Sequence, residues 1–137
     1  IIYKSKKLTI INDSKSTSFS STLPLLESFQ NIYWILGGMA KKGDKLKLKK
    51  KNFKKIKAFI YGKDQLFFSK ILSNKVKYKI SKNLNHSLLL VFKELKKIKE
   101  QKKVILFSPS AASFDQFKNF EHRGNYFNKI INKYLKK

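Results

Sequence analysis

The chain has 137 residues, 42% hydrophobic and 14% aromatic, enough for one buried core and too many for a disordered segment. It has no Cys and only His86 and His122, which excludes disulfides, thiolate metal sites and a Cys nucleophile and argues against a multi-His metal site. Lys and Arg number 32 against 8 Asp and Glu, a net charge of +24, and that balance raises polyanions as partners. Arg123 is the only arginine, and Arg is the residue suited to bidentate phosphate and guanine recognition. Lys, Asn, Ile, Phe and Tyr are all abundant, as an AT-rich coding bias would give. Most of the charge therefore reads as lysines on solvated faces.

In chain order, the apolar run Leu8–Ile11 predicts a buried strand that ends at Asn12-Asp13-Ser14. The Ser/Thr-rich stretch from Ser14 to Thr22 predicts a capped helix with Pro24 in its first turn. Ile32–Leu36 is a second strand, closed by Gly37-Gly38. Residues 41–55 read as a basic, solvated loop ending in a short helix, and Ala58–Tyr61 as a third strand before Gly62. Asp64–Leu72 is a short helix with Leu66, Phe67, Ile71 and Leu72 inward, and Val76–Ile80 a weak strand. Leu84, Leu88, Val91, Phe92, Leu95 and Ile98 recur at steps of three and four and predict an amphipathic helix. Val104–Phe107 is another strand, and residues 117–134 form one or two helices with a possible break at Gly124.

Strands alternate with helices, and the strands are continuously apolar rather than alternating. That pattern predicts an α/β fold, a three-layer α/β/α sandwich on a Rossmann-like, mainly parallel sheet. Ligands of such folds sit beyond the carboxyl ends of the strands. Here those ends are residues 12–17, 37–41, 62–64 and 108–113.

Three of these ends carry chemistry. Residues 12–17 offer a carboxylate, a cation and several hydroxyls, which suit a cap or an anion site. Gly37-Gly38 lets backbone approach a ligand closely, with Lys41 in reach of an anion. Residues 108–124 place small hydroxyl residues before a helix start, where N–H groups suit a carboxylate. No GxxxxGK[ST] or GxGxxG sequence occurs, so the chain lacks its own phosphate-cradling loop, and no GxSxG surrounds Ser108 or Ser113. His86 and His122 read as helix or surface residues. No charged segment precedes an apolar one at the start, and no apolar run is long enough to span a bilayer, which predicts a soluble, cytoplasmic piece of a longer protein.

These motifs resemble the C-terminal domain of the D-glutamate-adding Mur ligases of peptidoglycan synthesis. The resemblance rests on Asn12-Asp13-Ser14-Lys15-Ser16-Thr17, on Trp34-Ile35-Leu36-Gly37-Gly38 with Lys41, and on the stretch from Ser108 to Gly124. It covers essentially the whole chain and implies that residues 1–137 are one domain of a three-domain enzyme. Met39 stands where many relatives carry an acidic residue.

The resemblance implies an ATP-dependent ligase that joins D-glutamate to UDP-MurNAc-L-alanine through an acyl phosphate. Asp13 is then expected at the nucleotide ribose and Lys15 near the phosphates. Thr17 and Lys41 are expected to hold one D-glutamate carboxylate, and Ser113, with the backbone around Phe114 and Phe120, the other. The domain is expected to carry no catalytic or metal-ligating residue and to be inactive by itself. ATP and magnesium are expected mainly in the central domain, and the partners are the N-terminal and central domains of the same chain, with no nucleic acid and no membrane. Two alternatives remain open: a basic nucleic-acid-binding module, and a Mur-like structural domain that has lost activity.

Overall fold

The computed structural model describes residues 1–41, 43–98, 101–113 and 117–136. It contains β1 (Tyr3–Lys4), β2 (Leu8–Asn12), α1 (Phe19–Ser28), β3 (Ile32–Gly37), a 3-10 helix (Lys50–Lys55), β4 (Ile56–Tyr61), α2 (Gln65–Leu72), β5 (Lys77–Ile80), α3 (Leu84–Leu95), β6 (Lys103–Phe107) and α4 (Phe120–Leu135). The sheet order is β1-β2-β6-β3-β4-β5, parallel throughout except for the short β1 at one edge.

The continuous apolar strands divide by parity between two cores. Ile11, Trp34, Leu36, Ile56, Ala58, Ile60, Val104 and Leu106 face one side, against Phe19 and Leu26 of α1 and Phe68 and Leu72 of α2. Ile10, Tyr33, Ile35, Phe59, Tyr61, Ile105 and Phe107 face the other, against Leu84, Leu88 and Val91 of α3 and Phe127, Ile130 and Ile131 of α4. Side chains alternate along a strand, so a sheet covered on both faces needs apolar residues at every position. The α/β/α sandwich expected from the sequence is thus the architecture of the molecule.

Several local expectations are corrected. Pro24 is the sixth residue of α1, not part of its first turn, because Ser18 caps the helix by accepting the N–H of Ser21. The hydrogen bond that Pro24 cannot donate leaves the carbonyl of Ser20, an exposed residue, to solvent. Leu66 is 68% exposed, while Phe68, Ser69 and Leu72 form the inward face of α2. Residues two apart on a helix point in different directions, and Phe68 with Leu72 sets the face. Helix α3 ends at Leu95, so Ile98 lies beyond it and is exposed.

Gly124 does not interrupt α4, which runs unbroken from Phe120 to Leu135. A Cβ at Gly124 would stand 3.1 Å from Ser14 Cβ, so glycine lets the helix approach the loop after β2. The basic stretch 45–55 is not wholly solvated either. Leu46 and Leu48 are buried in the α1–α2 core.

Candidate functional site

The chain passes from β2 through α1 to β3 and leaves one sheet position open between them, which β6 fills at the end. The carboxyl ends of β2, β6 and β3 therefore lie side by side. Their loops carry residues 12–17, 108–113 and 37–41 respectively.

The loop after β2 alternates in direction. Asp13, Ser14 and Ser16 are buried, while Lys15 and Thr17 are exposed. Asp13 N–H donates to the Phe107 carbonyl at 2.7 Å, and Ser16 N–H to the Asp13 carbonyl at 3.0 Å. Ser108 Oγ donates to Asp13 Oδ2 at 2.7 Å. Thr22 Oγ1 shares hydrogen bonds of 2.6 Å with the hydroxyls of Ser16, Ser108 and Ser110. These hydroxyls, which the sequence offered as anion ligands, are consumed in joining α1 to the ends of β2 and β6.

Burial raises the Asp13 carboxyl above the ordinary aspartate range, and the Ser108 hydrogen bond and the nearby Lys15 charge offset this only in part.

Arg123 supplies the main cross-link. It is fully buried on α4. Its Nη2 donates to the Ser14 carbonyl at 2.6 Å, its Nε to Ser14 Oγ at 3.1 Å and its Nη1 to the Ala111 carbonyl at 2.8 Å. Ser14 Oγ in turn donates to the Phe120 carbonyl at 2.6 Å. One rigid fork thus joins the loops after β2 and β6 to the start of α4. Asn12 adds a second link through Nδ2, which donates to the Gly124 carbonyl at 3.0 Å and to Asn128 Oδ1 at 2.7 Å.

The loop after β3 is tied to the loop after β6 by reciprocal hydrogen bonds of 2.9 Å between Met39 and Ala112. The two glycines allow close backbone approach, Gly37 to the end of β4 and Gly38 to the loop after β6. A Cβ at Gly37 would lie 2.0 Å from the Tyr61 carbonyl oxygen, and one at Gly38 would lie 2.4 Å from the Ala112 carbonyl oxygen. They admit neighbouring backbone of the same chain. Asp64 holds the loop from the other side. Its Oδ2 accepts the Ala40 N–H at 2.7 Å, and its N–H donates to the Gly38 carbonyl at 3.3 Å.

Of the expected site residues, Lys15, Thr17 and Lys41 are exposed on loops at this one edge of the sheet. Ser113 is buried on the loop after β6, and Phe120 is 43% exposed at the first position of α4. The Phe120 carbonyl is occupied by Ser14, whereas its N–H has no intrahelical acceptor by virtue of its position. Phe114 lies outside the described residues. His122 plays a structural part: its N–H donates to the N-cap Asn119 Oδ1 at 2.8 Å, and its Nδ1 accepts the Lys118 N–H at 3.1 Å. Asn83, His86 and Lys82 repeat the device at α3.

Sequence reasoning missed Arg123 and Asp64 as organisers of the site. A lone arginine in a chain otherwise basic through lysine is the signal that could have found the first. Asp64 looks like an ordinary N-cap, and nothing in the sequence marks its bond to Ala40.

No family model matches the chain. Relatives named UDP-N-acetylmuramoylalanine–D-glutamate ligase do. That of Wolbachia sp. subsp. Brugia malayi (strain TRS) is 40% identical over 134 residues, 97% of this chain and 26% of its own length. That of Rickettsia felis is 39% identical over 119 residues, 87% of this chain and 26% of its own. That of Agrobacterium fabrum is 38% identical over 120 residues, 88% of this chain and 26% of its own. The chain thus spans about a quarter of the length of the curated relatives it matches. In sequence and in its α/β/α architecture the chain is similar to the C-terminal domain of these larger proteins.

Proposed function

We propose that residues 1–137 form the C-terminal, amino-acid-binding domain of an ATP-dependent ligase that adds D-glutamate to UDP-MurNAc-L-alanine. The observation that carries this reading is the arrangement of three loops at one sheet edge. Arg123, Asp13 and Asp64 bind the loops together from inside, while Lys15, Thr17 and Lys41 remain exposed.

A dicarboxylate needs cations or N–H and O–H donors at both ends. In this reading Thr17 and Lys41 hold one carboxylate. Ser113 and the backbone N–H groups around Phe114 and Phe120 hold the other, aided by the N-terminal end of the α4 dipole. The free amine is then oriented toward the acyl phosphate of the partner substrate. Nitrogen attacks the carbonyl carbon, phosphate leaves with the bonding pair, and the ammonium proton is lost. The domain's share of the catalysis is orientation and exclusion of water.

Asp13 and Lys15 are assigned to the nucleotide ribose and phosphates. The described residues contain no group of three His, Asp or Glu side chains spaced to hold a metal ion. Magnesium, which would neutralise phosphate charge, is assigned with most of the ATP site to the central domain. UDP-MurNAc-L-alanine is assigned to the N-terminal and central domains. The enzyme is assigned to the cytoplasm, where ATP and a nucleotide sugar would reach it.

The test is D-glutamate-dependent phosphate release by the full-length protein. Lys41→Ala and Ser113→Ala should each lower kcat/KM for D-glutamate by at least about ten-fold, the loss of a charge-assisted hydrogen bond. Unchanged D-glutamate kinetics in both variants would overturn the assignment.

A further inference from the structure

The segment between Asp44 and β4 is built as a pinned ribbon of lysines. Seven of the eleven residues 45–55 are Lys, and no Asp or Glu occurs between Asp44 and Asp64. Leu46 and Leu48 insert into the α1–α2 core, so Lys45, Lys47 and Lys49 point outward by the alternation of an extended chain. Lys50, Lys51 and Lys54 continue the exposed line on the 3-10 helix. Both ends are fastened to α1. Asp44 Oδ2 accepts the Phe19 N–H at 2.8 Å, and Lys55 Nζ donates to the Glu27 carbonyl at 3.1 Å. The cations crowd one another: burial and then the charge of Lys51 hold the Lys55 amine below the ordinary lysine range, against the opposing pull of Glu27.

We propose that this ribbon is a docking surface for an anionic membrane, held by charge at the lipid headgroups. The exposed large apolar side chains lie elsewhere, at Leu66, Tyr78 or Leu89 for example, and none falls between residues 45 and 55. The ribbon's single aromatic, Phe53, is partly buried against the α1–α2 core, so the ribbon offers no row of exposed rings on which bases could stack, the feature that marks single-strand grooves. It offers no guanidinium fork either, because the one arginine is buried on α4. A line of hydrated point charges suits a surface whose anionic headgroups can diffuse to gather beneath it. The expectation of no membrane partner came with the family resemblance, and the proposal departs from it: a charge-held surface needs no spanning segment.

The test is co-sedimentation of the full-length protein with vesicles of phosphatidylcholine alone, or of phosphatidylcholine and phosphatidylglycerol in equal parts, across a salt series. Binding is expected only to the mixed vesicles, and should fall steeply with salt. A lysine near an anionic surface is worth about a five-fold gain in partitioning. The triple variant Lys45→Gln, Lys47→Gln, Lys49→Gln should therefore bind about a hundred-fold more weakly. Arg at the same three positions should preserve binding, which separates lost charge from lost fold. A control triple, Lys93→Gln, Lys96→Gln, Lys97→Gln, removes equal charge at the end of α3 and should bind as wild type.

The proposal is overturned by absent binding to mixed vesicles at physiological salt, or by equal losses in the ribbon and control variants, which would mean net charge alone. Tighter binding to a single-stranded oligonucleotide than to mixed vesicles would overturn it in favour of nucleic acid.

Discussion

Arg123 on α4 binds both oxygens of Ser14, the carbonyl at 2.6 Å and the hydroxyl at 3.1 Å, across 109 positions of sequence. The third nitrogen reaches the Ala111 carbonyl at 2.8 Å. Lys in place of Arg would keep the charge and lose the fork, since one ammonium has neither the planarity nor the reach to serve these acceptors together. Arg123→Lys should destabilise the chain by about 2–3 kcal/mol, the loss of more than one hydrogen bond to a charged donor. Urea unfolding would measure the loss. In the full-length enzyme the same variant should raise KM for D-glutamate, because the loops carrying Thr17 and Ser113 lose their common anchor.

Gly124→Ala tests the close approach of α4 to Ser14. In a free helix this change stabilises by roughly 0.5–1 kcal/mol. Here the new Cβ would stand 3.1 Å from Ser14 Cβ, and Ser14 is tethered through its nitrogen, carbonyl and hydroxyl. It cannot yield, so a net loss of about 1 kcal/mol is expected. In a Ser14→Gly background the clash disappears, and Gly124→Ala should become neutral or stabilising. The same sign in both backgrounds would refute the contact.

Glu94 joins α3 to the sheet through Lys57 at 2.6 Å and Lys79 at 2.7 Å. Burial by itself would raise its carboxyl, but the hydrogen bonds and charges of the two lysines outweigh that and hold it below the ordinary glutamate range. A carboxyl depressed in the fold adds stability above its unfolded pKa, and that stability is lost as pH falls through the folded value. Wild type should therefore exceed Glu94→Gln in stability by about 1–2 kcal/mol at neutral pH, allowing for the partly exposed lysines. The gap should close in acid below the ordinary glutamate range. Urea midpoints measured against pH check both the size and the sign.

Asp13 behaves oppositely. Its carboxyl is raised in the fold, chiefly by burial, so ionisation there costs stability at neutral pH and protonation recovers it as pH falls. Asp13→Asn retains an acceptor for Ser108 and removes the buried charge, so the variant should be at least as stable as wild type at neutral pH. If Asp13 also contacts the nucleotide, KM for ATP should rise in the full-length variant. Stability kept with nucleotide affinity lost is a split that a purely structural role would not produce.

The alternation of strand and helix was readable because two-sided burial demands apolar residues at consecutive strand positions, as in Ile32–Leu36 and Val104–Phe107. The motif residues Asp13, Lys15, Thr17, Lys41 and Ser113 were readable because each follows a strand end. The inward turn of Ser14 and Ser16 was not, because a hydroxyl suits solvent, a cap or a buried network equally well. Leu66 was misplaced because its helix has another buried apolar face, and Gly124 because glycine permits both a break and a close contact.

By itself, the sequence determined the α/β class, the main strands and the likeness to the D-glutamate ligases, since these rest on local periodicity and contiguous motifs. Strand order belongs to the tertiary structure, as does the insertion of β6 between β2 and β3 that sets three distant loops side by side. So does the burial of the single arginine. A hydrogen bond between residues 14 and 123 has no local signature, because its partners meet only after both core faces have closed on the sheet.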